Sequence, residues 1–313
     1  MHNRRRLVSR ASWPEDTAPF INMLMASQES PPLWKTLLDL GRVSNLPTVW
    51  TNCLAGWILG GGGEPKRLAL LLVSGSLIYV AGMYLNDAFD ARWDSEHKND
   101  RPIPSGFIGQ RPVWIMGWSM MMAGLGLFVV MGKEPAILGA LLASCVIFYD
   151  AFHKQISWSP IPMALCRLFL LLAAAASARG GVDGYAVWCS VVLASYIVGL
   201  SYLAKAESLP GMLRYWPLIF LAAPIVLAVI VNDGDSMEKG LVASLILALW
   251  ILKSLRVLLW SDQPSVGRAV CGLLAGICLV DLLAVAVVPP GVAVIFLGAF
   301  VMCLILQRSI AAT

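Results

Sequence analysis

The chain has 313 residues, of which 58% are hydrophobic and 13% are charged, and its formal charge at pH 7 is +4. Soluble domains carry about 25% charged residues, so this composition excludes an ordinary soluble domain and indicates membrane spans. The 7 cysteines form no Cys-x-x-Cys pair and nearly all lie in apolar runs, which favours small buried side chains over a zinc or disulfide framework.

The N-terminal segment, residues 1–32, differs in composition from the rest of the chain. It opens with arginines at positions 4, 5, 6 and 10, which are followed by proline, aspartate and serine among scattered apolar residues. No continuous apolar run follows the arginines, so a cleaved signal peptide is not expected. We predict a basic cytosolic tail that is largely disordered.

Ten apolar stretches follow, and crossing the hydrocarbon core takes about 17–25 residues. They lie at 43–60, 68–86, 112–131, 135–149, 160–178, 185–203, 214–231, 239–260, 268–287 and 291–307. Several are short and are expected to extend into their polar flanks. The sequence therefore predicts an all-α polytopic membrane protein with nine or ten transmembrane helices, in which residues 289–313 form a hydrophobic C-terminal hairpin or tail.

The distribution of the 23 lysines and arginines predicts the orientation of the chain. Most of them fall on one side of the membrane when the N-terminus is placed in the cytoplasm. Because positive charge concentrates in cytoplasmic loops, the loops after spans two, four and six are predicted to be cytoplasmic. These loops are also the long and polar ones, so we expect the active site of a multi-pass protein of the bacterial inner membrane to face the cytoplasm.

The second predicted span ends in an aspartate-rich segment. Asp87, Asp90 and Asp94 fall at about 0°, 300° and 340° around a helix with 3.6 residues per turn. The three carboxylates therefore share one face, whereas Phe89 and Trp93 occupy other sectors and anchor the helix at the membrane interface. A chance acidic face at a solvated helix end is the plain alternative.

Three stacked carboxylates repel one another, so a metal site explains them better than a contribution to stability does. Mg²⁺ prefers oxygen ligands and usually shares its coordination shell with substrate phosphates. Asn86 adds a neutral oxygen or amide donor beside the aspartates. The segment therefore predicts a Mg²⁺ site with Asp87, Asp90 and Asp94 as its ligands.

A second signature follows at 101–106, with the sequence Arg-Pro-Ile-Pro-Ser-Gly. Its prolines favour an extended turn, and Arg101 has the geometry to bind phosphate oxygens bidentately. Together with Asn-Asp-x-x-Asp-x-x-x-Asp at 86–94, this segment resembles the UbiA superfamily of intramembrane prenyltransferases. The resemblance covers about residues 33–288 and implies nine helices in two four-helix-type halves around a central cavity.

By this resemblance, Asp87, Asp90 and Asp94 hold Mg²⁺ that bridges to the diphosphate of an isoprenoid donor, and Asn86 supports the same site. Departure of the diphosphate leaves an allylic carbocation, which an acceptor attacks. The metal stabilises charge on the leaving group, while apolar helix walls hold the isoprenoid tail and exclude water. The implied partners are a prenyl diphosphate, an unidentified acceptor and the lipid bilayer, with no nucleic acid.

The loop after span four carries Tyr149, His153 and Lys154. This segment resembles the family's Tyr-x-x-x-Lys-Arg sequence, in which the basic pair helps to hold the diphosphate. A tyrosine and a lysine at an inner interface are also expected from the aromatic belt and the positive-inside rule alone. Both interpretations of this segment stay open.

Two polar residues near the membrane interior are further candidates. Arg167 lies inside span five, where a charge is costly and usually functional, although snorkelling to the interface is the alternative. Asn45 stands at the start of span one, where it faces the cavity or caps the helix. Asp281 lies in span nine, and the sequence does not identify a partner for it.

The loop after span six departs from the family's pattern. The family usually has a second aspartate-rich motif there, whereas this chain has Tyr202, Lys205 and a single carboxylate, Glu207. A second Mg²⁺ site of the usual type is therefore not expected, and Lys205 is a candidate to supply positive charge instead. The short inner segments look most like the EboC-like branch of the superfamily, which is associated with bacterial gene clusters for secondary metabolites.

The leading prediction is a Mg²⁺-dependent prenyltransferase that transfers an isoprenoid group to a small aromatic or lipid-like acceptor. The predicted catalytic residues are Asp87, Asp90, Asp94, Lys154 and Lys205. The predicted substrate-binding residues are Asn45, Asn86, Arg101, Tyr149, His153, Arg167, Tyr202 and Glu207. Two other functions stay open: a non-catalytic protein that binds or carries an isoprenoid-linked metabolite, and a terpene cyclase with the same fold.

Overall fold

The computed structural model describes residues 32–99, 101–206, 216–232, 234–260, 265–286 and 289–311. Every regular element in these ranges is helical, which confirms the all-α prediction. The predicted disordered tail lies outside the described residues except for Pro32. Glu207 lies outside them as well.

Apart from the first helix, which precedes them, the helices follow the predicted apolar stretches in order. They are α1 (Leu33–Leu40), α2 (Leu46–Leu59), α3 (Pro65–His97), α4 (Gln110–Met131), α5 (Lys133–Phe152), α6 (Pro160–Ser177), α7 (Gly184–Ala206), α8 (Leu218–Leu221), α9 (Ala223–Val231), α10 (Gly234–Leu259), α11 (Val266–Ala284) and α12 (Pro290–Leu306). A short 3₁₀ turn, Val43–Asn45, joins α1 to α2.

Seven of these helices are long and apolar enough to cross a membrane: α3, α4, α5, α6, α7, α10 and α11. The other predicted spans coincide with shorter helices, namely α2 with 14 residues, the pair α8–α9 over Leu218–Val231, and α12. The chain is therefore a polytopic helical membrane protein, in which seven of the predicted spans are full-length helices and three are shorter.

Helix α3 carries its C-terminal turns beyond the apolar part of the bundle. It has 33 residues, which at 1.5 Å per residue is about 50 Å, whereas the hydrocarbon core is about 30 Å thick. Its apolar residues occupy the N-terminal two thirds, and its last three turns hold the aspartate-rich motif. The motif therefore lies at one end of the bundle, beyond the apolar part of α3.

Two hydrophobic cores divide the bundle into the predicted halves. One core is built from α2 to α6, and the other is built from α6 to α11. Helix α6 belongs to both, because Leu170 and Ala174 face the first core while Ala164 and Leu171 face the second.

Helices α2 and α6 approach each other unusually closely. A Cβ at Gly56 would overlap the carbonyl oxygen of Leu171, and a Cβ at Gly60 would overlap the carbonyl oxygen of Ala175. Only glycine permits this distance between helix backbones, as is common for small residues at helix interfaces in membranes. This contact sets α2 firmly against the helix that joins the two halves.

The C-terminal helix α12 lies against the bundle. Phe296 is fully buried beside Ala55 of α2 and Leu282 of α11. After α12 the chain reaches the start of α2, where the Gln307 amide donates to Asn45 Oδ1 at 3.1 Å. The predicted C-terminal tail therefore adopts a helix that packs on α2 and α11.

Candidate active site

The C-terminal ends of α3, α5 and α7 lie at the same end of the bundle. Lys154, just after α5, reaches Asp90 of α3, and Lys205 at the end of α7 reaches the segment between α5 and α6. The sequence predicted that the loops after these three helices share one face of the membrane. The contacts of Lys154 and Lys205 agree with that expectation.

Asp87 lies between two arginines from different loops. Its Oδ1 atom is 3.3 Å from Arg42 Nη2 and 3.7 Å from Arg101 Nη1, and its side chain is only 8% exposed. Arg42 has a φ of +42°, a left-handed conformation that is uncommon for a residue with a side chain. The strained backbone therefore belongs to Arg42, the residue whose guanidinium pairs with Asp87.

The segment at 101–106 folds so that Arg101 turns back toward α3. The amide of Ser105 donates to the carbonyl of Arg101 at 2.9 Å, and Gly106 has the positive φ of +80° that this reversal needs. Ile103 packs on a small apolar cluster that includes Tyr84 and Ala88 of α3. The apolar contact anchors the loop and leaves Arg101 at Asp87.

Lys154 and His153 pair with the other two aspartates. Lys154 Nζ is 2.8 Å from Asp90 Oδ1 and 3.8 Å from Asp94 Oδ1, and it lies 4.0 Å from the centre of the Trp93 ring. His153 Nε2 is 3.4 Å from Asp90 Oδ2. His153 also stacks on Tyr149 with ring centres 4.9 Å apart. The predicted basic pair therefore lies directly against the aspartate-rich motif.

Asn86 is buried at the start of the motif and faces α5. Its Nδ2 atom donates to Asp150 Oδ1 at 3.1 Å. Asp150 is only 3% exposed, and within the described residues its Oδ2 atom has no hydrogen-bond partner. Asp150 was not among the residues predicted from the sequence. Its position at the end of α5, three residues before His153 and four before Lys154, was the available signal.

The residues present suit a divalent cation in their chemistry. Mg²⁺ is usually held by one or two carboxylates together with substrate phosphates, rather than by a cage of protein ligands. Asp87, Asp90 and Asp94 offer hard oxygen donors along one helix face, as predicted. In the described part of the chain, no three acidic, histidine or cysteine side chains converge on one point, so phosphate oxygens would have to complete the shell.

Lys205 holds the segment that joins α5 to α6. Its Nζ atom donates to the carbonyls of Ile156 at 2.7 Å and Ser157 at 3.3 Å, and to Ser159 Oγ at 3.1 Å. Because this segment follows directly on Lys154, Lys205 helps to fix the basic pair. Tyr202 contacts Trp216 with ring centres 5.0 Å apart and ring planes tilted by 58°. The proposed roles of Tyr202 and Lys205 in binding the donor stay predictions.

Arg167 belongs to a buried polar network between the halves of the bundle. Its guanidinium donates to the Thr48 carbonyl at 3.1 Å and to Asn52 Oδ1 at 2.8 Å. Asn52 Nδ2 in turn donates to Asp281 Oδ1, and Thr51 Oγ1 donates to Asp281 Oδ2, each at 2.6 Å. Asp281, for which the sequence identified no partner, is therefore joined to Arg167 through Asn52.

The network approaches the aspartate-rich motif through Tyr79. Arg167 lies 5.9 Å from the centre of the Tyr79 ring, and the Tyr79 hydroxyl donates to the carbonyl of Arg42 at 3.3 Å. Arg42 is the residue that pairs with Asp87. The polar groups of α2, α6 and α11 thus form a continuous path to the site. Asn45, also buried, accepts from Gln307 beside this path.

The fold and the site together define a helical membrane bundle with an acidic motif and several basic side chains gathered at one end. The chain belongs to the UbiA prenyltransferase family, because the sequence model of that family matches residues 46–271. This range lies within the region of residues 33–288 that the motifs predicted. The narrower EboC-like assignment stays a prediction.

Two curated relatives show similarity over part of their length. Digeranylgeranylglyceryl phosphate synthase of Metallosphaera sedula is 27% identical over 120 residues, which is 38% of this chain and 42% of that protein. 4-Hydroxybenzoate octaprenyltransferase of Pectobacterium atrosepticum is 27% identical over 124 residues, which is 38% of this chain and 42% of that protein. The match thus spans less than half the length of each relative.

A solved structure supports the fold. A UbiA homologue from Archaeoglobus fulgidus, bound to GPP and Mg²⁺, aligns with a TM-score of 0.59 and 14% identity, over 80% of this chain and 99% of that one. At this level of identity the similarity concerns the arrangement of the helices. It agrees with the helical plan that the motifs implied.

Proposed function

We propose that this chain is a Mg²⁺-dependent intramembrane prenyltransferase that transfers an isoprenoid group from a prenyl diphosphate to a small aromatic or lipid-like acceptor. The observation that carries the proposal is the meeting of three aspartates of one helix face with basic side chains from three other segments. These are Arg42 before α2, Arg101 after α3, and His153 and Lys154 after α5. Family membership agrees with this assignment.

The same charges serve the free protein and the complex in different pairings. Without substrate, the basic side chains compensate the aspartates, as the distances of 2.8–3.8 Å indicate. When a prenyl diphosphate binds, Arg101 and Lys154 move to phosphate oxygens, with which they form charge-assisted hydrogen bonds. The oxygens of Asp87, Asp90 and Asp94 are then free to hold Mg²⁺.

The reaction is a substitution at an allylic carbon. The carbon–oxygen bond of the donor breaks, the diphosphate leaves with the electron pair, and the acceptor forms a new bond to the carbocation and loses a proton. Mg²⁺, when bound, neutralises charge on the leaving diphosphate. Arg101 and Lys154 fix the diphosphate at the end of α3, so that its isoprenoid tail enters the apolar bundle and water is excluded.

Different observations support the class of acceptor and the side of the membrane that the active site faces. The names of the two relatives point to one lipid-like and one aromatic product, which is why both acceptor classes are retained. The excess of basic residues in the loops after spans two, four and six supports an active site that faces the cytoplasm in a bacterial inner membrane. A prenyl diphosphate, an acceptor and the bilayer are the proposed partners.

A binding experiment tests the proposal at its metal site. Purified full-length protein in lipid nanodiscs is titrated with geranyl, farnesyl and geranylgeranyl diphosphates, with and without Mg²⁺. Asp87→Asn and Asp90→Asn should each abolish the Mg²⁺-dependent part of binding, because each loses a charged ligand. In a separate turnover assay, Glu207→Gln should slow the reaction less than Asp87→Asn or Asp90→Asn does. Binding that is unchanged in both aspartate variants would sink the metal-site assignment.

The alternative of a non-catalytic binding protein rests on one feature of the sequence. The loop after span six has a single carboxylate, Glu207, where the family usually has a pair. Saturable Mg²⁺-dependent binding without turnover, across aromatic and lipid-like acceptors, would favour this function. Diphosphate release with formation of a cyclic hydrocarbon and without any acceptor would favour a terpene cyclase.

A further inference from the structure

We propose that Asp150 is a fourth carboxylate of the cation site and that its Oδ2 atom is a direct ligand of a bound divalent cation. The inference deepens the proposed function and rests on it. Asp150 belongs to the last turn of α5, whereas the three predicted ligands all belong to α3. The cation would then link two helices that the sequence motif alone does not join.

The position of Asp150 follows from its contact with the motif. Asn86 precedes Asp87 directly, and its amide nitrogen donates to Asp150 Oδ1 at 3.1 Å. The two oxygens of Asp150 share one carbon atom, so Oδ2 also lies beside the Asn86 side chain. Lys154, four residues after Asp150, pairs with Asp90 of the motif at 2.8 Å. The carboxylate is therefore part of the same cluster.

The charge balance of the cluster distinguishes Asp150 from the other acids. Asp87, Asp90 and Asp94 each lie within 3.8 Å of a basic nitrogen. Asp150 accepts only from a neutral amide in the described part of the chain, and its buried Oδ2 has no donor. A buried carboxylate oxygen without a partner is costly, and such atoms in native proteins often mark a missing ion or water. A cation at Oδ2 would satisfy it.

A ligand from α5 also suits the coordination that Mg²⁺ requires. Octahedral geometry needs donors at right angles to one another, and carboxylates stacked along one helix face approach a cation from one side only. Asp150 approaches from the facing helix. The contact with Asp150 also turns the amide nitrogen of Asn86 toward α5, which leaves the Asn86 oxygen available as a further neutral donor.

The test measures cation binding directly, without turnover. Mn²⁺ replaces Mg²⁺, and the free Mn²⁺ signal is followed by electron paramagnetic resonance as full-length protein in nanodiscs is titrated, first alone and then with inorganic diphosphate. Asp150→Asn is the informative variant, because an asparagine keeps the size and one oxygen acceptor for Asn86 but loses the charge of Oδ2. Asp183→Asn is the matched control, because Asp183 is exposed and lies just before α7 at the opposite end of the bundle. Asp183 Oδ1 accepts from the amide of Ala186 in the first turn of α7, and an asparagine caps a helix as well as an aspartate does.

Asp150→Asn should weaken Mn²⁺ binding about tenfold or more, as is typical when a metal ligand or its immediate support is lost. Asp183→Asn should bind as the wild type does, and Asp150→Glu should recover part of the affinity. Thermal unfolding without metal should show a single cooperative transition in all five proteins, including Asp87→Asn and the wild type, which shows that folding is intact. A wild-type affinity in Asp150→Asn, with a loss in Asp87→Asn, would overturn the inference and spare the proposed function. Wild-type affinity in both variants would overturn the inference and the proposed metal site together.

Discussion

Lys154 is expected to affect cation binding and diphosphate binding in opposite directions. In the free protein it neutralises Asp90 at 2.8 Å and Asp94 at 3.8 Å, so it competes with Mg²⁺ for these carboxylates. In the complex it binds the diphosphate. Replacing it with methionine keeps the apolar stem over Trp93 but removes the charge. The Lys154→Met variant should therefore bind Mg²⁺ alone more tightly and prenyl diphosphate more weakly.

The sizes of the two effects follow from the surroundings of Lys154. Its side chain is 29% exposed and that of Asp90 is 15% exposed, so the ion pair is partly screened and contributes about 1 kcal/mol. This corresponds to an increase in Mg²⁺ affinity of roughly fivefold. A charge-assisted bond to phosphate contributes about 1.5–3 kcal/mol, so the affinity for prenyl diphosphate should fall about 10- to 100-fold.

Isothermal titration of the nanodisc-embedded protein measures both affinities. Lys154→Arg should keep both close to the wild-type values, because it retains the charge. Lys133→Met, at the exposed start of α5 on the opposite end of the bundle, is the matched control and should change neither. The reasoning would be refuted if Lys154→Met weakened both affinities equally, since Lys154 would then support the fold of the site rather than exchange partners.

Three further predictions concern packing, the buried network and topology. Gly56→Val should lower the midpoint of thermal unfolding, because its Cβ overlaps the backbone of α6; an unchanged midpoint would contradict the close α2–α6 contact. Asn52→Leu should destabilise the protein by about 3 kcal/mol, since Arg167 and Asp281 lose the group that joins them. Equilibrium unfolding in detergent measures the change. A loss of stability below about 0.5 kcal/mol would argue against the network. Ser105→Cys should react with a membrane-impermeant maleimide in inside-out vesicles only, with the parent protein as control for the native thiols; labelling from the periplasmic side would reverse the orientation.

The sequence was sufficient to predict the parts of the site that depend on local periodicity. Asp87, Asp90 and Asp94 share one face because their spacing fixes this in any α-helix, and α3 is continuous through all three. The positions of the predicted spans followed from apolar runs in the same way. The resemblance to a family implied that His153 and Lys154 help to hold the diphosphate, and the structure shows both side chains beside Asp90.

The contacts that the sequence did not predict all join distant segments. Arg42 and Asp87 are 45 residues apart, and Thr51 and Asp281 are 230 residues apart. No local pattern specifies such pairs, because they depend on how the helices pack. The start of α2 is another example, since the predicted span 43–60 includes the 3₁₀ turn Val43–Asn45 and the helix itself begins at Leu46. Apolar composition alone does not distinguish that turn from the helix.

Lys205 illustrates why residue type was insufficient to predict a contact. From the sequence, Lys205 is a candidate to replace the charge of a second metal ion, and in the structure it is bonded to two carbonyls and a serine hydroxyl of the α5–α6 segment. A lysine at the end of a span satisfies carbonyls that a loop leaves without partners as readily as it binds an anion. Both roles have the same signature in the sequence, and only the position of the neighbouring loop distinguishes them.

Release of diphosphate by the purified protein tests the central claim most directly. The protein in lipid is incubated with Mg²⁺ and with geranyl, farnesyl or geranylgeranyl diphosphate, in the presence and absence of aromatic and lipid-like acceptors, and Asp87→Asn is measured beside it. Our account predicts diphosphate release that requires both Mg²⁺ and Asp87 and is accompanied by a prenylated acceptor. Release at the same rate from Asp87→Asn, or from the wild type without a divalent cation, would contradict it.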